Sequence, residues 1–272
     1  MKRRPLVLDL AVLALLALYA VPFLWQVVTS FKPEAELLRV PPLLPSHPTL
    51  AHYEVVFTQS AMPRALGNSA GVATMTTLLA CLLGVPAAYA MATLRVPVAG
   101  ALMLAIVAST AFPQIATVSP LYLVMRALGL RDTWTALVLA DASFALPFVI
   151  WLMTRFMREV PRELAEAAAL DGAGRVRTLI AVHLPLTAPG LASVALLTFL
   201  FAWNEFLFAF TFTATEASRT VPVALALFPG VFEVPWGDIA AASILASIPP
   251  VLIVIGLQRW LVRGLLAGAL TE

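Results

Sequence analysis

The chain has 272 residues, of which 61% are hydrophobic and 12% charged, and its formal net charge is +2. Soluble domains are about half apolar and a quarter charged, so the apolar excess here calls for lipid as solvent rather than a larger soluble core. No basic run extends beyond Lys2, Arg3 and Arg4, which leaves nucleic-acid binding without support, and the single cysteine, Cys81, excludes an internal disulfide.

A bilayer core about 30 Å thick needs roughly 20 largely apolar residues per helix. Six stretches meet or approach that length: 6–28, 67–93, 99–125, 134–156, 187–213 and 238–262. The first has the basic start of a signal peptide. Its apolar run is too long, however, and no small-x-small cleavage site closes it, so it reads as a retained span. Pro86, Pro113, Pro120 and Pro147 fall inside later spans, where neighbouring groups can satisfy the carbonyls that proline frees.

The distribution of basic residues sets the expected orientation. With the N-terminus inside, only Lys32, Arg39, Arg64, Arg126, Arg131 and Arg219 of the 17 Lys and Arg fall outside. Both termini are therefore expected in the cytoplasm. The external segment 29–66 carries Pro41, Pro42, Pro45 and Pro48 and is expected to hold little regular structure. A second external segment, 214–237, is broken by Pro222, Pro229, Gly230, Pro235 and Gly237. The expected organisation is residues 1–66 as a first helix and external loop, then 67–272 as a five-helix core.

Between the fourth and fifth spans, residues 157–187 form a polar cytoplasmic segment. Pro161 suits a helix start, Glu163 and Glu166 lie in the first turns, and Gly172 can supply a left-handed cap. The helix would be about eleven residues long, too short to cross a bilayer. A second short helix around 173–183, carrying Arg175 and Arg177, is expected to stop at Leu184-Pro185. Ala165, Ala167, Ala168 and Ala169 keep the first helix slim enough for another backbone to approach. On periodicity alone, a peg for a soluble partner and an amphipathic helix lying on the inner leaflet are equally good readings.

Other candidates are sparse. Asp141 and Glu205, with Asn204 beside the latter, are the ionisable and polar groups at membrane depth, where such groups are costly and face protein or water. His47, His52 and His183 are isolated in sequence. No ligand cluster can be built from them, and His183 reads as a solvated or interface residue. No Gly-rich phosphate loop occurs, so ATP chemistry belongs to a partner.

The segment Glu166-Ala167-Ala168, Gly172, Val182 and Leu184-Pro185, with Glu163, Asp171-Gly172-Ala173 and Pro189 around it, resembles the EAA loop of bacterial ABC-importer permeases. Val182 stands where the family pattern usually has Ile. Further stretches resemble the sugar branch of that family: Ser30-Phe31-Lys32-Pro33, Asn68-Ser69, Ala202 to Phe206, Pro222-Val223, and Gln258-Arg259 through Gly264-Leu265 and Gly268-Ala269. They fall in order along nearly the whole chain.

The resemblance implies an all-α polytopic membrane protein with six transmembrane helices and a short cytoplasmic coupling helix, the type I importer permease fold. It implies a multi-pass protein of the bacterial inner membrane, paired with a second, distinct permease. Two ATPase subunits would hold the ATP and Mg, and an extracytoplasmic binding protein would deliver an α-linked glucose disaccharide such as trehalose or maltose. No cofactor, metal or catalytic residue is expected on this chain itself. Glu163, Glu166, Ala167, Ala168, Asp171, Gly172, Leu184 and Pro185 would couple to the ATPase. Asn204, Glu205, Trp203, Asp141, Tyr122 and Phe144 would line the substrate path. Phe228, Pro229, Gly230 and Val231 would meet the binding protein. The rival readings are a permease for a non-sugar solute and an ion-coupled secondary transporter; an intramembrane enzyme lacks a nucleophile–base pair.

Overall fold

The computed structural model describes residues 6–37, 42–94, 97–228 and 234–269, with side chains placed for residues 8–258 of these. Every regular element among them is helical: α1 (Leu6–Ser30), α2 (Glu34–Leu37), α3 (Ala51–Gln59), α4 (Met62–Thr93), α5 (Ala99–Thr110), α6 (Gln114–Ala127), α7 (Trp134–Arg158) and α8 (Arg162–Leu170). Then follow α9 (Arg175–Thr178), a π-helical turn (Leu179–His183), α10 (Leu184–Leu186), α11 (Ala188–Trp203), α12 (Leu207–Phe212), α13 (Val221–Ala226) and α14 (Trp236–Ala269).

Four helices are long and apolar enough to cross a membrane singly, and two further spans are bent pairs. The expected third span is not one rod. It is α5 and α6, set at 93° to each other. Pro113 sits extended at the junction, with ψ near 128°, and its ring prevents the helix from continuing. The expected fifth span is also divided. It starts at an 83° bend, where the segment Arg175–Leu186 meets α11, and it breaks within at Asn204–Phe206 before α12.

The chain divides into two compact units. One comprises Met1–Pro63 with Ala224–Ile248, the other Arg64–Val223 with Pro249–Glu272.

In the first unit α1 leaves its leucines and aromatics exposed from Leu8 to Trp25. Beyond α1 the expected formless loop is instead ordered by polar contacts. Ser30 Oγ lies 2.8 Å from Tyr53 Oη, and Lys32 Nζ sits 4.0 Å over the Trp25 ring. Burial pushes the Lys32 ammonium below its ordinary pKa, and the Glu36 charge restores part of the loss. His52 is not isolated. Its Nδ1 is 2.6 Å from Asp238 Oδ1, and its Nε2 donates to the Lys32 carbonyl at 2.8 Å. Gly237 lies so close to the His52 ring that any Cβ there would overlap it.

The second unit is held by close helix contact between small residues. A Cβ at Gly71 would overlap the Trp134 ring, and one at Gly84 would overlap Val149, so α4 and α7 run side by side in parallel over about four turns. One cluster near the α7 start gathers Val72, Leu137, Phe208 and Phe212. A second, toward its end, gathers Tyr89, Met153, Met157 and Leu179. Cys81 is partly buried at the edge of the second cluster.

Candidate functional site

Three regions of the second unit carry the candidate chemistry. In the polar segment between α7 and α11, α8 ends in a closed cap. The Ala173 amide donates to the Ala168 carbonyl at 2.9 Å, and the Gly172 amide donates to the Ala169 carbonyl at 3.0 Å. Gly172 has φ +77°, the left-handed geometry that the sequence predicts there. Nothing on α8 is buried. Glu163, Glu166, Ala167, Asp171 and Gly172 are exposed, Ala168 half-buried, and neither glutamate carboxylate has a hydrogen-bond or ionic partner among the described residues. Leu170 is 90% exposed, and Leu164, Val176 and Ile180 are exposed beside it.

The stem beneath this surface is anchored. Thr178, Leu179 and His183 are buried, and His183 packs edge-on to Tyr89 with centroids 4.9 Å apart. The solvated role expected for His183 is therefore replaced by a packing role. Leu184-Pro185 does not stop the second helix, which continues to Leu186. A π turn precedes the proline and closes with the Leu184 amide on the Leu179 carbonyl, which widens the backbone enough to seat the ring. Pro185 is exposed and Leu184 half-buried.

On the opposite flank, Asp132 ties two loops together. Its φ is +59°, unusual for a residue with a side chain. Its carboxylate accepts from the amides of Ala214 and Thr215 at 2.8 and 3.0 Å, from the Thr215 hydroxyl at 2.6 Å, and from the Ser218 hydroxyl. Burial alone would raise this carboxyl's pKa. The Ser218 and Thr215 hydroxyls and the two amides outweigh it and hold the group well below the usual carboxylate range. Asn68 Nδ2 donates to the carbonyls of Glu216 and Arg219, and Ser69 Oγ accepts from the Val221 amide. None of this was visible in the sequence beyond the Asn68-Ser69 pair.

Within the membrane stretch the candidates separate. Glu205 is 7% exposed, and its two carboxylate oxygens accept from the Phe208 and Ala209 amides at 2.8 and 2.9 Å, closing the start of α12. Asp141 is 1% exposed, and its Oδ1 has no hydrogen-bond partner among the described residues. Trp203 is buried and stacks on Phe199 at 5.7 Å; Tyr122 packs toward Phe212 and lies beneath the Arg131 guanidinium at 5.1 Å. These three line neither of the cavities below.

A cavity of about 660 Å³ lies along α5, α7 and α11, bordered by Gln114, Phe144, Phe148, Trp151, Thr198 and Phe201. An adjoining cavity of about 550 Å³ shares Gln114, Leu197 and Phe201 with it and reaches Asn204 and Glu205. So Phe144, Asn204 and Glu205 border open space, and Gln114, Phe148, Trp151, Thr198 and Phe201 are additions that apolar sequence runs conceal. Phe228 is described as half-buried, whereas Pro229, Gly230 and Val231 lie outside the described residues. Among the described residues no group of His, Cys, Asp or Glu is arranged to hold a metal.

Comparison with known proteins adds identity to this geometry. Residues 81–267 match the model of a family described as binding-protein-dependent transport system inner membrane component. The chain is 43% identical to the trehalose transport system permease protein SugB of Mycobacterium tuberculosis, over 91% of each chain. It is 38% identical to the trehalose/maltose transport system permease protein MalG of Thermococcus litoralis, covering 99% of this chain and 97% of that one. It is 39% identical to the sulfoquinovosyl glycerol transport system permease protein SmoH of Agrobacterium fabrum, covering 92% and 88%. Among solved structures, a chain of a bacterial ABC transporter that imports the acidic polysaccharide alginate superposes with TM-score 0.83 at 22% identity, covering 94% and 95%.

Proposed function

The chain belongs to the family of binding-protein-dependent transport system inner membrane components, and we propose that within it this chain serves an importer of an α-linked glucose disaccharide of the trehalose or maltose type. It is a multi-pass permease of the sugar-importing ABC class. The finer reading rests on SugB and MalG, whose names carry those sugars. SmoH carries a different sugar, so the family alone leaves the choice to chemistry.

The observation that carries the mechanism is the exposed face of α8. The apolar side chains of Leu164 and Leu170, with Val176 of α9, stand exposed beside the Glu163 and Glu166 carboxylates, which have no partner among the described residues. A rigid helix with a closed cap, unused charge and exposed apolar groups fits the groove of a partner. The partners in this reading are two ATPase subunits, which bind ATP and Mg, together with a distinct second permease. An extracytoplasmic sugar-binding protein docks on the opposite flank, and both termini of this chain face the cytoplasm. Closure of the ATPases would move α8, and the stem anchored by buried Thr178, Leu179 and His183 would carry that motion to the ends of α4 and α7. Such a switch works because the partner's contacts differ between two states.

The test is the ATP hydrolysis rate of the complete complex in nanodiscs, with and without binding protein, across a sugar panel. Strong stimulation by binding protein loaded with trehalose or maltose is the expected result. A rate that no loaded binding protein changes overturns the sugar assignment.

A further inference from the structure

We propose that His52 is a positioning residue that ties the first turn of α14 to the end of α1, and that it does so only as a doubly protonated imidazolium. The ring stands between two acceptors. Its Nδ1 lies 2.6 Å from the Asp238 carboxylate and its Nε2 2.8 Å from the Lys32 carbonyl. Neither an ionised carboxylate nor a carbonyl can donate, so both bonds form only when both ring nitrogens carry protons. A neutral imidazole has one N–H. It would keep one bond and turn a lone pair toward the other oxygen, at a site where His52 is 8% exposed and little water can compensate. Asp238 sits in the first turn of α14, where the helix N-terminus favours its negative charge.

The end of α1 and the start of α3 hold each other by several contacts. The Thr49 amide donates to the Phe31 carbonyl at 2.9 Å, Ser30 Oγ meets Tyr53 Oη, and the Phe31 and Tyr53 rings lie 5.4 Å apart. To α14 the connection is the ring: among the described residues, no other hydrogen bond or ion pair joins residues 30–60 to that helix. Gly237 makes the seat specific. Its backbone lies outside the left-handed region and would accept a side chain, yet a Cβ there would overlap the His52 ring. The charged and titratable groups around the ring are few. Asp238 faces it from α14, and Lys32 from the chain after α1 turns its Nζ to Trp25, with Glu36 as its charge partner. On α3 itself, Tyr53 is bonded to Ser30 and Glu54 is exposed. Because Nε2 is spent on a backbone carbonyl, the pair has no base to offer a nucleophile and is not a catalytic dyad. The tie is present at the acid end of the ring's titration and is lost as the pH rises and the ring gives up a proton. In stronger acid, protonation of Asp238 ends it from the other side. The importer reading puts this segment outside, so the pH that acts on it is the external one.

The test is hydrogen–deuterium exchange of the complete complex in nanodiscs, without sugar or ATP, at about pH 6 and about pH 9, corrected for the intrinsic chemistry of exchange. Peptides covering α3 and the first turns of α14 are expected to lose about tenfold protection at the higher pH, the factor that one hydrogen bond provides, while α7 keeps its own. Protection that pH leaves unchanged overturns the proposal, and so does a loss that α7 shares equally. Asp238→Asn supplies an amide that can donate to a neutral ring and accept from a charged one, so it is expected to flatten the response. A response as steep as the parent's overturns the proposal. Gly237→Ala expels the ring without removing either charge, and should bring both pH values to the unprotected level. Protection equal to the parent's in that variant overturns the seat at Gly237 and the tie with it. No transport enters these measurements, so a failed sugar panel leaves the tie standing, and a failed exchange test leaves the importer reading standing.

Discussion

The two flanks of the second unit use the same kinds of residue in opposite ways. At the Asp132 clamp, one carboxylate accepts from two amides and two hydroxyls, and Asn68 and Ser69 take up further backbone groups of residues 216–221. In the polar segment carrying α8, its two glutamate carboxylates have no partner among the described residues and its leucines stand exposed. A region that satisfies its own polar groups is scaffold, and one that leaves them open is shaped for something else. Under the proposed mechanism, the open region transmits force while the closed one keeps the bundle registered.

The largest effect that would break this contrast is Asp132→Ala. It strands the donors of residues 214–218 and leaves a side chain at positive φ, and is expected to lower stability by about 2–4 kcal/mol. Thermal unfolding of the purified complex checks this, and a variant as stable as its parent would show that the clamp is not a scaffold. Gly172→Val comes next. At φ +77° a β-branched residue adds about 1–3 kcal/mol of local strain. Sugar moved per ATP should fall further than the accompanying loss of melting temperature accounts for. Equal losses of stability and coupling would erase the distinction between the flanks.

Glu166→Lys reverses an exposed charge and is expected to weaken retention of the ATPase subunits about tenfold, read by co-purification at low and high salt. Unchanged retention would take α8 out of the docking face. The smallest effect is a pH dependence. Because the Asp132 carboxyl is held below its ordinary pKa, its stabilisation is present in full above the ordinary carboxylate range. It is lost as acid lowers the pH through the folded-state value. Asp132→Asn should therefore lose less melting temperature on acidification than the parent, and identical acid sensitivity would contradict the clamp's electrostatics.

Composition and run length determined that this chain lives in lipid, because apolar stretches of some twenty residues have no other stable home. The α8 cap was equally legible, since only a glycine readily takes the left-handed turn after Leu170, and that requirement is local. Tertiary structure decided the rest. The right-angled break at Pro113 and the continuation through Pro185 depend on what the freed backbone groups meet, not on the presence of proline. His52 found Asp238, and Asp132 found residues 214–218, across more than 80 positions of chain in each case. Trp203 turned inward to Phe199 while Trp151 came to border a cavity. In a helix apolar all round, sequence periodicity does not say which face meets protein and which meets open space, and only the packing of neighbouring helices assigns it.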